Sequence, residues 1–388
     1  MKLNRVKVKN FKSLRDIDLT LSDLTLLTGV NSSGKSSFIQ SILLLRQNIN
    51  GLKQVTNYNM IEKLNIEDEE VLKYIASTKE NISLLLDGEY VSLGNYKNIL
   101  YQEIFNENMN IEIYSENKHL KISYDSKLNT AIDASDYFDY QSFNLFLNNF
   151  QYIMTDRISP AITYPLSDTH IKDNLIGLKG EYTAHFLAEN KNKNIFFKEL
   201  KHPNSVTNQL LENVSLWLNE ISSGIDISST INYQQNNVAL TYSYKYKDSR
   251  TNEFNPLNVG FGITYVLPII VAILKAKPND LLIIENPESH LHPAGQSKIA
   301  ELCAIASSCG VQMIVETHSD HFLNGITVAT KKQILKPDNS QVYYFRKEKD
   351  KLETKIDKIN IDKNGNINEW PEGFFDEWDN QLDSLLGL

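Results

Sequence analysis

The sequence predicts an α/β fold with an antiparallel β lobe and an inserted, mainly helical subdomain. Three observations predict it. A continuous apolar run, Leu24 to Thr28, has the pattern of a strand covered on both faces. It leads through a glycine-containing turn into Phe38, Ile42 and Leu45, which recur at helical spacing. From Asn258 onward, strand and helix patterns alternate again.

Taken in order, Val6 and Val8 alternate with Lys7 and Lys9, and Ile17, Leu19 and Leu21 with Asp18 and Thr20, so both segments read as half-buried strands. Further strands are expected at Ile82–Leu86, Ile111–Tyr114 and Leu120–Tyr124, between Gly-, Asn- and Ser-rich turns. Residues 131–250 are rich in Asn, Phe and Leu and read as the insertion. Helices are expected there around Ser142–Tyr152 and Ser205–Ile221, with a hairpin at Thr230–Lys247. A helix Thr264–Leu274, a buried strand Leu281–Ile284, a helix Gln296–Ser307 and a buried strand Val311–Val315 follow.

With 388 residues, 41% of them hydrophobic, the chain is long enough for one large or two ordinary domains. The two cysteines, Cys303 and Cys309, cannot make a disulfide framework, which fits a cytoplasmic setting. The longest apolar run, Val266–Leu274, is too short to span a membrane and contains Pro268, so no membrane partner is expected. The first residues lack the apolar core of a signal peptide. A net charge of −9 excludes a chain that is basic throughout, so any nucleic-acid contact must be local. Residues 1–15 carry Lys2, Arg5, Lys7, Lys9, Lys12 and Arg15 with no acid, whereas the segment from Asn364 on is acidic and aromatic, with no Lys or Arg. That segment reads as a cap on the sheet or a docking element.

Gly29-Val30-Asn31-Ser32-Ser33-Gly34-Lys35-Ser36 matches G-x-x-x-x-G-K-[ST] between a buried strand and an amphipathic helix. Glycines let successive N–H groups turn inward around phosphate, and the helix start adds its partial positive charge. Gly29, Asn31, Ser32, Ser33, Gly34, Lys35, Ser36 and Ser37 are therefore the candidate contacts to ATP, with Lys35 on the terminal phosphates and the Ser36 hydroxyl on Mg²⁺. The apolar strand Leu281–Ile284 ends in Glu285, a second candidate ligand for that ion, and Glu288 is placed to polarise an attacking water. His318, ending the next strand, is a candidate donor to the γ-phosphate. His290, His292, His318 and His321 lie close in sequence, so a zinc site is an alternative.

Together these residues resemble an ABC-type ATPase head of the SMC, RecF and OLD groups. The sharper resemblance is to stand-alone bacterial heads. It is carried by Ile284–Gln296 (IENPESHLHPAGQ), Asn258–Pro268 (NVGFGITYVLP), Trp370–Glu377 (WPEGFFDE), Gly180–Thr183 and Arg157–Pro160. It implies a head split over 1–130 and 251–347, an insertion at 131–250 and a cap at 348–388. It places Gly260-Phe261-Gly262 at the signature loop, which in such heads covers ATP held by a second subunit, so a homodimer or higher homo-oligomer is implied. A Q-loop glutamine is expected too, with Gln102 and Gln47 as candidates. Two departures matter: Asn286 stands where many heads carry the catalytic glutamate, and the signature lacks its hydroxyl residue. Both imply slow hydrolysis.

The resulting expectation is a dimeric ATPase switching a separate effector such as a nuclease, in defence against phage or plasmids. Alternatives are a DNA-repair ATPase holding duplex through the basic N-terminal strand, a non-hydrolysing nucleotide scaffold and, with less in its favour, a transporter subunit. No metal-binding nuclease domain of the OLD kind and no coiled-coil heptads are visible.

Overall fold

The computed structural model describes all residues except 54–83, 103–106, 117, 126–129, 135–139, 248, 349–350 and 387–388. The expected strand Ile82–Leu86 falls partly outside the described residues, and Leu84–Leu86 are not strand.

In chain order the strands are β1 (Arg5–Phe11), β2 (Leu14–Thr20), β3 (Leu24–Gly29), β4 (Met109–Ser115), β5 (Lys118–Asp125), β6 (Thr130–Ala134), β7 (Phe150–Ile153), β8 (Thr163–Tyr164), β9 (Ile225–Asn232), β10 (Asn237–Tyr246), β11 (Ser249–Arg250), β12 (Leu281–Glu285), β13 (Gln312–Glu316), β14 (Ser340–Lys347) and β15 (Thr354–Ile359). The main helices are α1 (Lys35–Gln47), α2 (Thr183–Asn190), α3 (Leu210–Asn219), α4 (Phe261–Leu274), α5 (Pro293–Ser308), α6 (Asp320–Lys331) and α7 (Glu377–Leu386). The chain divides into two compact units, one of residues 1–21, 30–147 and 345–356, the other of 22–29, 148–344 and 357–388.

The first unit is built on an antiparallel sheet of order β2-β1-β4-β5-β6. Alternation dictates its faces: Val6, Val8, Ile111, Ile113, Leu120 and Ile122 are buried, and the residues between them carry charge. Phe38 of α1 meets Phe345 with ring centroids 6.3 Å apart.

The second unit holds β3, β13, β12 and β7 of a sheet whose order is β15-β14-β3-β13-β12-β7. β3, β13, β12 and β7 run parallel, in the registers Val315↔Leu26, Ile284↔Val315 and Ile284↔Ile153. Their residues are buried on both faces, as near-continuous Leu/Ile/Val runs require, each large side chain contributing about 1.5–3 kcal/mol. α4 packs almost its whole circumference into this core, Pro268 included. The hairpin expected at Thr230–Lys247 is present as β9 and β10.

Two expectations change. Ser142–Tyr152 is not a helix: two 3₁₀ turns, Tyr140–Ser142 and Asn144–Phe146, lead into β7. A four-residue apolar run has too little length for periodicity to separate strand from helix. The helix expected from Ser205 begins only at Leu210, because Glu212 accepts from the main chain of Val206 (2.8 Å) and Thr207 (3.0 Å) and holds them in a preceding turn.

Candidate functional site

The loop after β3 is shaped by its main chain. Ser32 takes φ 59° and Gly34 φ 110°, left-handed values that turn the backbone before α1 begins at Lys35. Thr354 Oγ1 donates to the Ser33 carbonyl at 2.8 Å and lies 2.8 Å from Ser13 Oγ. A Cβ on Gly34 would meet that Thr354 hydroxyl, so both space and φ demand glycine. Lys35 is buried and its Nζ donates back to the Val30 carbonyl at 2.9 Å, which fixes the ammonium over the loop. Asn31, Ser32 and Ser36 are exposed and Ser37 is half-buried.

Beside this loop, within the first unit, Lys12, Ser13, Ser32, Tyr101, Gln102 and Lys347 border a cavity of about 430 Å³. Gln102 is thus near the loop, whereas Gln47 is committed to structure: its Oε1 accepts from Tyr90 and Val91 main chain, both at 3.0 Å. The basic strand is largely answered by acids. Arg5 donates to Asp18 at 2.6 Å, Lys9 pairs with Glu107 at 2.8 Å and Arg15 with Glu353 at 3.5 Å. Lys12 donates to Gln40 at 2.6 Å, and burial lowers its pKa.

In the second unit the carboxyl ends of four parallel strands form one edge, where α/β sheets bind ligands. Gly29 ends β3 and Glu285 ends β12. Glu285 Oε2 accepts from the N–H of Thr155 at 3.2 Å and from its Oγ1 at 3.0 Å. Glu288 is held from β13's end: Oε2 accepts from Thr317 Oγ1 and Oε1 from the His318 N–H, both at 2.8 Å. Burial raises the Glu288 pKa above the ordinary carboxylate range despite those bonds. His318 is exposed just past Thr317, whose own N–H donates to the Leu27 carbonyl at 3.0 Å.

Asn286 adopts φ 44°. Its N–H donates to the Glu316 carbonyl at 2.8 Å, its Nδ2 reaches Thr155 Oγ1 at 3.2 Å, and its buried Oδ1 has no partner. Its amide is pinned and is no base. Gly260 precedes α4 and Phe261 opens it. A Cβ on Gly262 would meet the His290 carbonyl oxygen, so this glycine has a packing reason of its own. Phe261, Tyr265 and His290 cluster with ring centroids 4.7–4.9 Å apart.

Among the described residues no group of three His, Cys, Asp or Glu side chains is arranged to hold a metal, which leaves the zinc alternative without support. Ser36, in the first unit, and Glu285, in the second, each carry a hard oxygen donor of the kind that suits Mg²⁺. Thr155, Thr317 and Thr354 were not singled out from sequence. A threonine beyond a strand end carries no pattern until the strand order is known.

A family model described as "AAA domain, putative AbiEii toxin, Type IV TA system" matches residues 24–324. A second, described as a protein of unknown function (DUF3696), matches residues 335–385. Among curated proteins the chain is similar to the Old nuclease of Escherichia phage P2, 33% identical over 66 residues, a match spanning 17% of this chain and 11% of that protein. Among solved structures it is similar to an SMC head bound to the C-winged helix domain of ScpA, with TM-score 0.52, 12% identity and coverage of 93% and 99% of the two chains. An SMC head domain from Thermotoga maritima aligns with TM-score 0.43, 12% identity and coverage of 93% and 100%.

Proposed function

The chain belongs to the AAA-domain family, and on that premise we propose that it is an ATPase switch: it binds ATP with Mg²⁺, hydrolyses it slowly, and signals its nucleotide state to a partner protein. The observation that carries this reading is the loop, a full phosphate-binding motif with Lys35 buried and already turned onto its own main chain.

In this reading Lys35 and the loop N–H groups take the triphosphate. The Ser36 hydroxyl and the Glu285 carboxylate are metal ligands, and magnesium, when bound, offsets phosphate charge. Glu288 is the general base: it is a carboxylate held at the strand edge by Thr317 and the His318 N–H, burial raises its proton affinity, and the Asn286 amide has no such capacity. His318 answers the γ-phosphate. Gly260, Phe261 and Gly262 would face nucleotide held by a second copy, giving a homodimer. The partner effector we favour is a nuclease acting in antiphage or anti-plasmid defence. The short likeness to the Old nuclease and the toxin–antitoxin wording of the family support that direction.

The test is ATP turnover by the purified full chain with Mg²⁺, followed by co-purification with neighbouring gene products and a nucleic-acid cleavage assay with and without ATP. No saturable nucleotide binding rejects the whole reading. Binding without turnover favours a non-hydrolysing scaffold instead, which the pinned Asn286 amide favours. Direct DNA binding through basic positions such as Lys2, Lys7, Lys9 and Lys12 is disfavoured because Lys9 pairs with Glu107, Lys7 lies 3.6 Å from Asp18 and Lys12 donates to Gln40.

A further inference from the structure

Arg157, only 1% exposed, is among the largest buried side chains of the described residues. Its hydrogen-bond partners are main-chain carbonyls rather than carboxylates. Nη1 donates to the Glu285 carbonyl and Nη2 to the Asn286 carbonyl, both at 2.8 Å, while its buried Nε has no partner. Burial pulls its pKa down to about 10. A buried cation hydrogen-bonded to carbonyls rather than to a carboxylate is costly, and a methionine would fill the space more cheaply. What guanidinium adds is a planar fork with two donors at a fixed angle. That fork spans the last residue of β12 and the left-handed residue after it. Two residues earlier, Thr155 holds the Glu285 carboxylate, so the segment after β7 grips both the main chain and the side chain of Glu285. The guanidinium carbon lies 5.0 Å from the centroid of the Tyr265 ring, and Tyr265 stands in the first turns of α4 against Phe261 and His290.

We propose that Arg157 is a positioning residue: its fork locks the turn Glu285–Glu288 in the arrangement that presents both carboxylates, and its stack on Tyr265 ties that turn to the head of α4. The catalytic consequence rests on the ATPase reading; the locking does not. Lysine keeps the charge but has no rigid fork across two carbonyls. Phenylalanine at 265 keeps the ring face, and leucine removes it.

Two measurements on the full chain test this. In nucleotide-free protein, amide hydrogen exchange over residues 285–292 should rise about 10-fold in Arg157→Lys, with α1 and the other strands unchanged. In turnover, Arg157→Lys should lower kcat about 10- to 100-fold with KM for ATP within about twofold, since a misplaced group costs rate more than binding. Wild-type values of both overturn the proposal, and so does a rise in KM at unchanged kcat. If wild-type protein shows no turnover, the ATPase reading fails and exchange alone decides the locking. If Arg157→Lys loses protection throughout the chain, the pair Tyr265→Leu and Tyr265→Phe decides. Faster exchange at 285–292 in the leucine variant only supports the tie, and equal behaviour of the two overturns it.

Discussion

The loop at residues 29–36 and the turn at residues 285–290 both handle charge, and they are built in opposite ways. The loop is mostly local: its ammonium returns to a carbonyl five residues before it, its turn comes from positive φ at Gly29, Ser32 and Gly34, and one distant group, the Thr354 hydroxyl, braces the Ser33 carbonyl. The turn is distributed: Glu285 is held by Thr155, 130 residues away in sequence, Glu288 by Thr317, and the intervening carbonyls by Arg157. A local device fails when one group is lost. A distributed one loses function by degrees, because each support is one hydrogen bond among several.

That contrast orders the mutations. Lys35→Ala should weaken nucleotide binding at least about 100-fold, since a buried charge-assisted contact disappears with no substitute; a fluorescent-nucleotide titration reads it. Glu288→Gln should lower turnover about 100-fold while leaving that titration unchanged, the size of a general-base loss. The same variant has a pH signature. Because burial raises the Glu288 pKa in the fold, the unfolded carboxyl ionises first as pH rises from its ordinary value of 4.5. Wild-type stability therefore falls through that window and up to the folded pKa, and Glu288→Gln lacks this loss. Denaturant midpoints of the two proteins across pH should diverge upward from the ordinary glutamate range; parallel curves would contradict the raised pKa.

Smaller effects separate the glycines. Gly34→Ala meets both a left-handed φ and the Thr354 hydroxyl and should cost about 1–3 kcal/mol together with nucleotide affinity. Gly262→Ala, which runs into the His290 carbonyl at an ordinary φ, should cost a similar amount of stability, read by calorimetry. Smallest is Thr155→Val, which removes one hydroxyl from Glu285 and should cost about 1 kcal/mol, read as a modest rise in the Mg²⁺ concentration needed for half-maximal turnover. A large loss there would show that the turn is as brittle as the loop.

The same difference explains what could be read from residues alone. The loop is a contiguous string, and each of its parts has a chemical reason visible in order. The buried strands Leu281–Glu285 and Gln312–Glu316 were legible because burial on both faces leaves an unbroken apolar run. β7 was not, because Phe-Gln-Tyr-Ile is short, aromatic and flanked by residues that also suit a helix. Losing β7 hid Thr155 and the role of Arg157, which exist only because β7 lies next to β12. Gly262 was read as a phosphate-facing glycine, and only the approach of the His290 carbonyl gave it a packing reason. The basic N-terminal strand could be read as a DNA face because Glu107, the partner of Lys9, is remote in sequence and near only in the fold.

The position of β3 has a consequence for how the protein is made. Its neighbours are β13 and β14, so Leu24 finds Met313 only after most of the chain has been translated. At about 5–20 residues per second that wait lasts on the order of 15–60 s. Throughout it the run Leu24–Leu27 is an unpaired, greasy segment on a nascent polypeptide, an open invitation to holdase chaperones and to mispairing. The ribosome thus releases the loop at residues 29–36 long before β3 has a sheet to stand in.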